Sequence, residues 1–171
     1  MKPGVTLADI VVLGGLMAVR ECGGPTIPLF AGRGDVQTEN PAGQLPDSGE
    51  QMSRLREKFK KMGLDLRDMV VLAVGGHTLG FAPAEIGAGP VGRETSFDST
   101  PNKFDKLIFR TLLEKKFVLR MDKTFLENPE TQKLIKFYAD QPEKVFRRHF
   151  TLSFLKMTRG EGNNRFVPLD L

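Results

Sequence analysis

Along the first twenty residues, Ile10, Leu13, Leu16, Met17 and Val19 recur near helical spacing, which lays them along one side of an α-helix. Thr6 stands where an N-cap belongs, and Gly23-Gly24-Pro25 closes the segment. A second helix is expected from Asp47 or Ser48. Met52, Leu55, Phe59 and Met62 face inward, Lys58, Lys60 and Lys61 face outward, and Gly63 ends it. Asp65, three residues before Asp68, opens a third helix with negative charge in its first turn. That helix runs through Met69, Val70, Val71, Leu72 and Val74 to Gly75-Gly76. Residues 102–116 follow the same period, with Phe104, Leu107, Ile108, Thr111 and Leu112 inward. So do residues 129–139, through Leu134, Ile135 and Tyr138, and residues 142–158, through Val145, Phe146, Phe150, Phe154 and Met157. Between them, IPLFAGRGDV reads as extended and turn-rich, QTENPAGQLPDSG as a polar loop, and residues 81–101 as a long loop without period. Residues 159–171 read as a loose tail. Strand signals are few and no repeat is evident, so the fold class expected is mostly α, in one domain over residues 1–171.

Composition narrows the function. The 171 residues are 40% hydrophobic and 27% charged, ordinary for a globular protein able to build a core. A net charge of +4 is spread among 21 acidic residues, so no basic stripe for nucleic acid stands out. The single cysteine, Cys22, excludes an internal disulfide, reads as a small buried apolar residue, and favours an intracellular setting. No apolar run reaches the roughly 18 residues of a membrane span. The N-terminal apolar segment, interrupted by Asp9 and lacking a clear cleavage site, reads as part of a helix of the mature protein.

Two histidines, His77 and His149, limit the chemistry further. A zinc site of three histidines is excluded, and no GxSxG, P-loop or GxGxxG is present. One histidine is enough to be the protein's ligand to a haem iron. His77 follows Gly75 and Gly76, whose missing side chains would let a flat cofactor approach the helix end. On spacing alone the favoured reading is instead a histidine satisfied in the core or at the helix's negative end. In FDSTPNKFD, residues 97–105, hard oxygen ligands alternate: Asp98, Thr100, the carbonyl of Lys103, and Asp105. That set suits calcium. The same stretch also reads as a helix start capped by Ser99 or Thr100 with Pro101 in the first turn, and both readings can hold together. His149, beside Phe146, Phe150 and two arginines, reads as a packing or surface residue.

GGHTLG preceded by DMVVL, then FDSTPNKFD, then LRMDKTFLENPET, resembles the proximal half of plant-type haem peroxidases. The earlier stretch LADIVVLGGLMAVRECGGPTIPLFAGRGDV resembles the segment before that half. The resemblance runs over nearly the whole chain in the family's order. It is strongest to the branch of ascorbate and cytochrome c peroxidases, with a likeness to the fungal class II enzymes. It implies haem b, with His77 as axial ligand to the iron and Asp122 accepting from that histidine's other ring nitrogen. It implies a proximal cation site of Thr78, Asp98, Thr100, Lys103 and Asp105, holding calcium or potassium, with the acidic Asp98 favouring calcium. Pro28 and Phe97 would border the proximal face of the haem. The implied activity is hydrogen-peroxide-dependent oxidation of a small reductant, in the response to oxidative stress.

The departures are specific. Phe97 stands where ascorbate and cytochrome c peroxidases have tryptophan, so no tryptophan radical can form there. The stretch FAPAEIG after His77 lacks the basic and histidine residues that relatives use near a haem propionate. Neither histidine stands in an RxxxH arrangement, the family's distal pair. Distal histidine and arginine supply acid–base catalysis and charge stabilisation, each worth about 100-fold or more. Activity of this chain alone is therefore expected to be impaired. The alternative reading is a non-catalytic haem- or partner-binding remnant, with a missing N-terminal segment or another chain covering the haem.

Overall fold

The computed structural model describes residues 4–87, 89–159 and 166–169. Helix α1, Leu7–Glu21, begins at Thr6, whose hydroxyl accepts from the Asp9 N–H while Asp9 reaches back to the Thr6 N–H. Gly23, at φ +76°, turns the chain away. Strand β1, Leu29–Ala31, follows. Helix α2, Met52–Lys61, starts later than the sequence suggests, because Asp47 caps only a local turn to Gly49 and Glu50. Lys58 is buried, contrary to expectation. The polar loop folds over α2, and Lys58 donates to Glu50 and to the Leu45 carbonyl.

Helix α3, Leu66–Met69, carries the expected reciprocal cap between Asp65 and Asp68. It continues as a π-helix over Val70–Val74, where the sequence pattern suggests ordinary α-helix. Val70, Val71 and Val74 are all buried, and wider turns of this kind are often found beside functional sites. The presumed loop after it contains a hairpin of β2, Phe81–Pro83, and β3, Glu94–Ser96, paired antiparallel.

Helix α4 spans only Leu107–Leu113; residues 98–106 are turns, not helix. Helix α5, Arg120–Glu127, was not marked by periodicity, being short and without a local side-chain cap. Its first N–H is met from afar: Glu85 accepts from the Arg120 N–H at 2.8 Å. Helices α6, Pro129–Asp140, and α7, Glu143–Arg159, lie where expected, although Met157 faces solvent. Cys22 is half-buried and free. Of the segment read as a tail, residues 160–165, 170 and 171 lie outside the described residues. Val167–Leu169 forms β4, antiparallel to β1.

The mostly-α expectation holds. One core joins Leu16 and Val19 of α1 with Val70, Val71 and Val74, Phe104, Ile108 and Phe109, Phe125, Tyr138, and Phe146. Arg147 on α7 donates to the carbonyls of Gly23 and Phe104, tying α7 to the end of α1 and to the segment before α4. This scaffold holds the end of the π-helix, the 97–105 turns and the start of α5 against one another.

Candidate functional site

Past the π-helix the chain tightens. The N–H groups of His77, Thr78 and Leu79 donate to the carbonyls three residues back, and Gly80, at φ +88°, donates to Pro101. These turns aim two consecutive side chains into two different clusters.

His77 goes to the first. Its Nδ1 lies 2.8 Å from Oδ1 of Asp122, in the first turn of α5. Asp122 is 1% exposed, so the carboxylate meets the ring almost without water. Phe97 stacks on the imidazole with centroids 4.2 Å apart and planes 5° apart. One edge and one face of the ring are thus fixed. Among the described residues Nε2 makes no hydrogen bond, and the side chain keeps 18% exposure. The second Asp122 oxygen, Oδ2, is buried without a partner among those residues.

Thr78, fully buried, goes to the second cluster. Its hydroxyl lies 3.4 Å from the Lys103 carbonyl and 3.5 Å from Oδ1 of Asp105. Thr100 bridges the two carboxylates, its hydroxyl 3.2 Å from Asp98 Oδ1 and 3.2 Å from Asp105 Oδ2. Oδ2 of Asp98 is buried and has no hydrogen-bond partner among the described residues. Burial above all, with the Asp105 charge, pushes Asp98 above the usual carboxylate value, against the bonds it receives from Thr100. Two buried carboxylates, two hydroxyls and a carbonyl therefore converge, with the Lys103 ammonium 3.5 Å from Asp105 Oδ2 partly balancing their charge. The five residues singled out in the sequence lie together. The capping alternative is replaced: Asp105, not Ser99 or Thr100, meets the helix, accepting from the Leu107 N–H at 2.8 Å.

The clusters are built by neighbours in sequence. His77 and Thr78 divide between them, and so do Phe97 and Asp98. Shifting either dipeptide disturbs both. Pro28, exposed just before β1, makes no hydrogen-bond or ring contact with either cluster among the described residues.

The two glycines have separate tasks. A Cβ on Gly75 would lie 2.6 Å from Phe146 Cε2, so this glycine serves the core rather than an approaching cofactor. Among the described residues a Cβ on Gly76 would meet nothing within 4 Å, so none of them closes that flank of His77. Sequence reasoning also missed Glu85, which orients α5 and hence Asp122; nothing local to residue 85 signals it. His149 is held by Tyr138 Oη at 2.8 Å from its Nδ1.

The arrangement offers an imidazole with one nitrogen buttressed by a buried carboxylate and the other available. This fits haem: an axial ligand needs a free Nε2, a fixed tautomer and an open flank, and His77 has all three. Among the described residues no helix is long and apolar enough to cross a membrane.

A family model described as "Peroxidase" matches residues 1–141. L-ascorbate peroxidase 3 of Arabidopsis thaliana is 39% identical over 149 residues, 85% of this chain and 50% of that protein. L-ascorbate peroxidase 5, peroxisomal, of the same plant is 37% identical, covering 97% of this chain and 59% of its own length. L-ascorbate peroxidase 1, cytosolic, of Oryza sativa subsp. japonica is 35% identical, covering 91% and 62%. The chain thus spans about half to three fifths of the length of the curated relatives it matches.

Proposed function

The chain belongs to the plant-type haem peroxidase family, and we propose that it is the haem-holding part of a peroxidase that uses hydrogen peroxide to oxidise a small reductant. The observation that carries this reading is the 2.8 Å contact between His77 Nδ1 and the buried Asp122. His77 Nε2 is the ligand atom. Asp122 accepts the Nδ1 proton, which fixes the tautomer and makes the ring a stronger electron donor. Phe97 stacks on the ring and holds its plane, while the second Asp122 oxygen has no donor among the described residues. Bound haem would supply the redox chemistry: reduction of peroxide and oxidation of the reductant one electron at a time.

In the second cluster, Thr78, Asp98, Thr100, Asp105 and the Lys103 carbonyl hold a cation, calcium rather than potassium given two carboxylates. The ion stabilises the His77–Thr78 and Phe97–Asp98 pairs, and so the ring. The reductant is a small molecule; ascorbate is the class suggested by the relatives' names. An intracellular location, cytosolic or peroxisomal as those names have it, and a part in the response to oxidative stress belong to the same proposal.

A second reading, a haem- or partner-binding remnant without turnover, is favoured by one observation. Contrary to the side expected from the sequence, Ile10 and Met17 do not join Leu16 and Val19 in the core but lie with Leu7, Val11 and Gly14 on an exposed outward stripe of helix α1. A helix apolar on both sides is built to be covered, here by a further peroxidase segment or another chain lying over the haem.

Haem titration tests the first reading. A Soret band with a defined endpoint is expected, and it is lost in His77→Ala; a band surviving that change sinks the proposal. Peroxide turnover with a phenol separates the two readings, since turnover equal to free haem leaves only the remnant.

A further inference from the structure

Tyr138 is the only tyrosine in a chain with no tryptophan, so it is the only phenol or indole available for oxidation. It is fully buried on α6. Its Oη lies 2.8 Å from Nδ1 of His149 on α7, and the rings meet nearly edge-on at 87°. No other hydrogen-bond partner of Oη is present among the described residues, so the phenol donates and Nδ1 accepts. His149 is only half-buried, which leaves the far side of the imidazole within reach of solvent.

The pair is also wired to the rest of the core. The Tyr138 ring lies 5.1 Å from Phe109 and 6.1 Å from Phe146, and those two are 5.2 Å apart. Phe146 in turn abuts the backbone at Gly75, two residues before His77, where even a Cβ would come within 2.6 Å.

We propose that Tyr138 and His149 form a redox-active pair: the Tyr138 phenol gives up one electron while its Oη proton passes to His149 Nδ1. The oxidant is haem held by His77 and oxidised by hydrogen peroxide, so this donor role rests on the function proposed above. The products balance as a neutral tyrosyl radical, an imidazolium at His149, and an oxidant reduced by one electron. A second electron from the reductant, with the proton returned by His149, restores the phenol.

Burial and the charged groups facing the pair keep the phenol protonated and the imidazole neutral before the electron leaves. Burial above all pushes the phenol up to about 12, while Arg67 lowers it and Asp65 and Asp68 raise it, so it does not lose its proton before the electron goes. Burial, then Arg67 and Arg148, hold His149 below the usual imidazole value, so at neutral pH it is a free base ready to accept. A buried phenol paired for packing alone would need only an acceptor. A proton-coupled donor needs a base.

That difference sets the test. Flash-generated ruthenium tris-bipyridine oxidant is applied to the chain without haem, with the tyrosyl radical followed by transient absorption and electron paramagnetic resonance. The expected result is a radical lost in Tyr138→Phe. In His149→Gln, which keeps an acceptor but removes the base, oxidation slows about 100-fold. The wild-type rate shows a solvent deuterium effect and falls as pH drops through the His149 titration. No radical, or equal rates in wild type and His149→Gln, overturns the proposal. Haem-loaded protein treated with hydrogen peroxide is then examined by the same resonance signal. A radical dependent on Tyr138 supports the donor role, and a silent tyrosine with haem bound overturns it. Failure to bind haem, with the flash radical intact, overturns the haem reading and leaves the pair standing.

Discussion

Replacing Asp122 by asparagine separates two jobs that a buried carboxylate can do. In the fold, this buried carboxylate makes one bond, at 2.8 Å from His77, and Oδ2 has none among the described residues. An unsatisfied buried acceptor costs about 1–3 kcal/mol, and more when charged. The lost His77 bond and the relieved desolvation therefore oppose one another. Asp122→Asn is expected to leave the haem-free protein within about 1 kcal/mol of wild type. Its effect on haem should be larger and of one sign. A charge-assisted bond is about twice as strong as a neutral one, and an outer partner of a ligating histidine is typically worth about 10–100-fold in affinity. At 1.4 kcal/mol per tenfold, that is about 1.4–2.8 kcal/mol.

The assay pairs thermal melts of the haem-free protein with haem titration followed at the Soret band, for wild type, Asp122→Asn and His77→Ala. The expected order of affinity is wild type, then Asp122→Asn, then His77→Ala with no specific band. Haem affinity of Asp122→Asn within twofold of wild type would refute the reasoning. A fall in melting stability matching the whole loss in affinity would refute it too, because the carboxylate would then be supporting the fold and not the ligand.

Calcium at about 100 times its dissociation constant should stabilise the protein by about 2.7 kcal/mol. Because Asp98 sits above its ordinary value of 3.8, the folded state holds that proton more tightly than the unfolded chain. Stability therefore falls as pH rises from about 3.8 through the raised value, and the calcium increment should grow over the same range. Melts with calcium and with chelator across pH, in wild type and Asp98→Asn, check this, and equal melts at pH 7 would sink the cation site. Asp9 shows the opposite sign: burial opposes ionisation, but hydrogen bonds from Gly32, Arg33 and Thr6 outweigh it and hold Asp9 at about 2. Its contribution, about 1–2 kcal/mol after allowing for solvent screening, should be present above 3.8 and lost as pH falls through about 2. Asp9→Asn melts against pH read that loss. Gly75→Ala should destabilise by about 1–3 kcal/mol through overlap with Phe146, whereas Gly76→Ala should leave the melt unchanged. Comparable losses at both positions would contradict the division of labour between the two glycines.

What could be read from the sequence follows from where the cause of each feature lies. Helices α1, α6 and α7 carry their own periodicity, and α1 and α6 their own caps, Thr6 and Asn128, so their places were legible within a few residues. The oxygen cluster was legible because most of its ligands come from one stretch, residues 98–105, and only Thr78 arrives from elsewhere. Helix α5 has neither advantage. It is eight residues long, and the carboxylate that caps it belongs to Glu85, across the chain. Lys58 was misplaced for a related reason: its burial is made by Leu45 and Glu50, in a loop whose composition is polar and gives no sign of folding back. The π-helix has no sequence signal because a run of valine and leucine fits α and π alike, and the close fit of Phe146 against Gly75 comes from a distant helix. The same contact separates two questions that the motif GGHTLG had merged. Gly75 is there for the core and Gly76 for the open flank. A glycine pair before a histidine thus signals a cofactor face only at the residue whose missing Cβ nothing else needs.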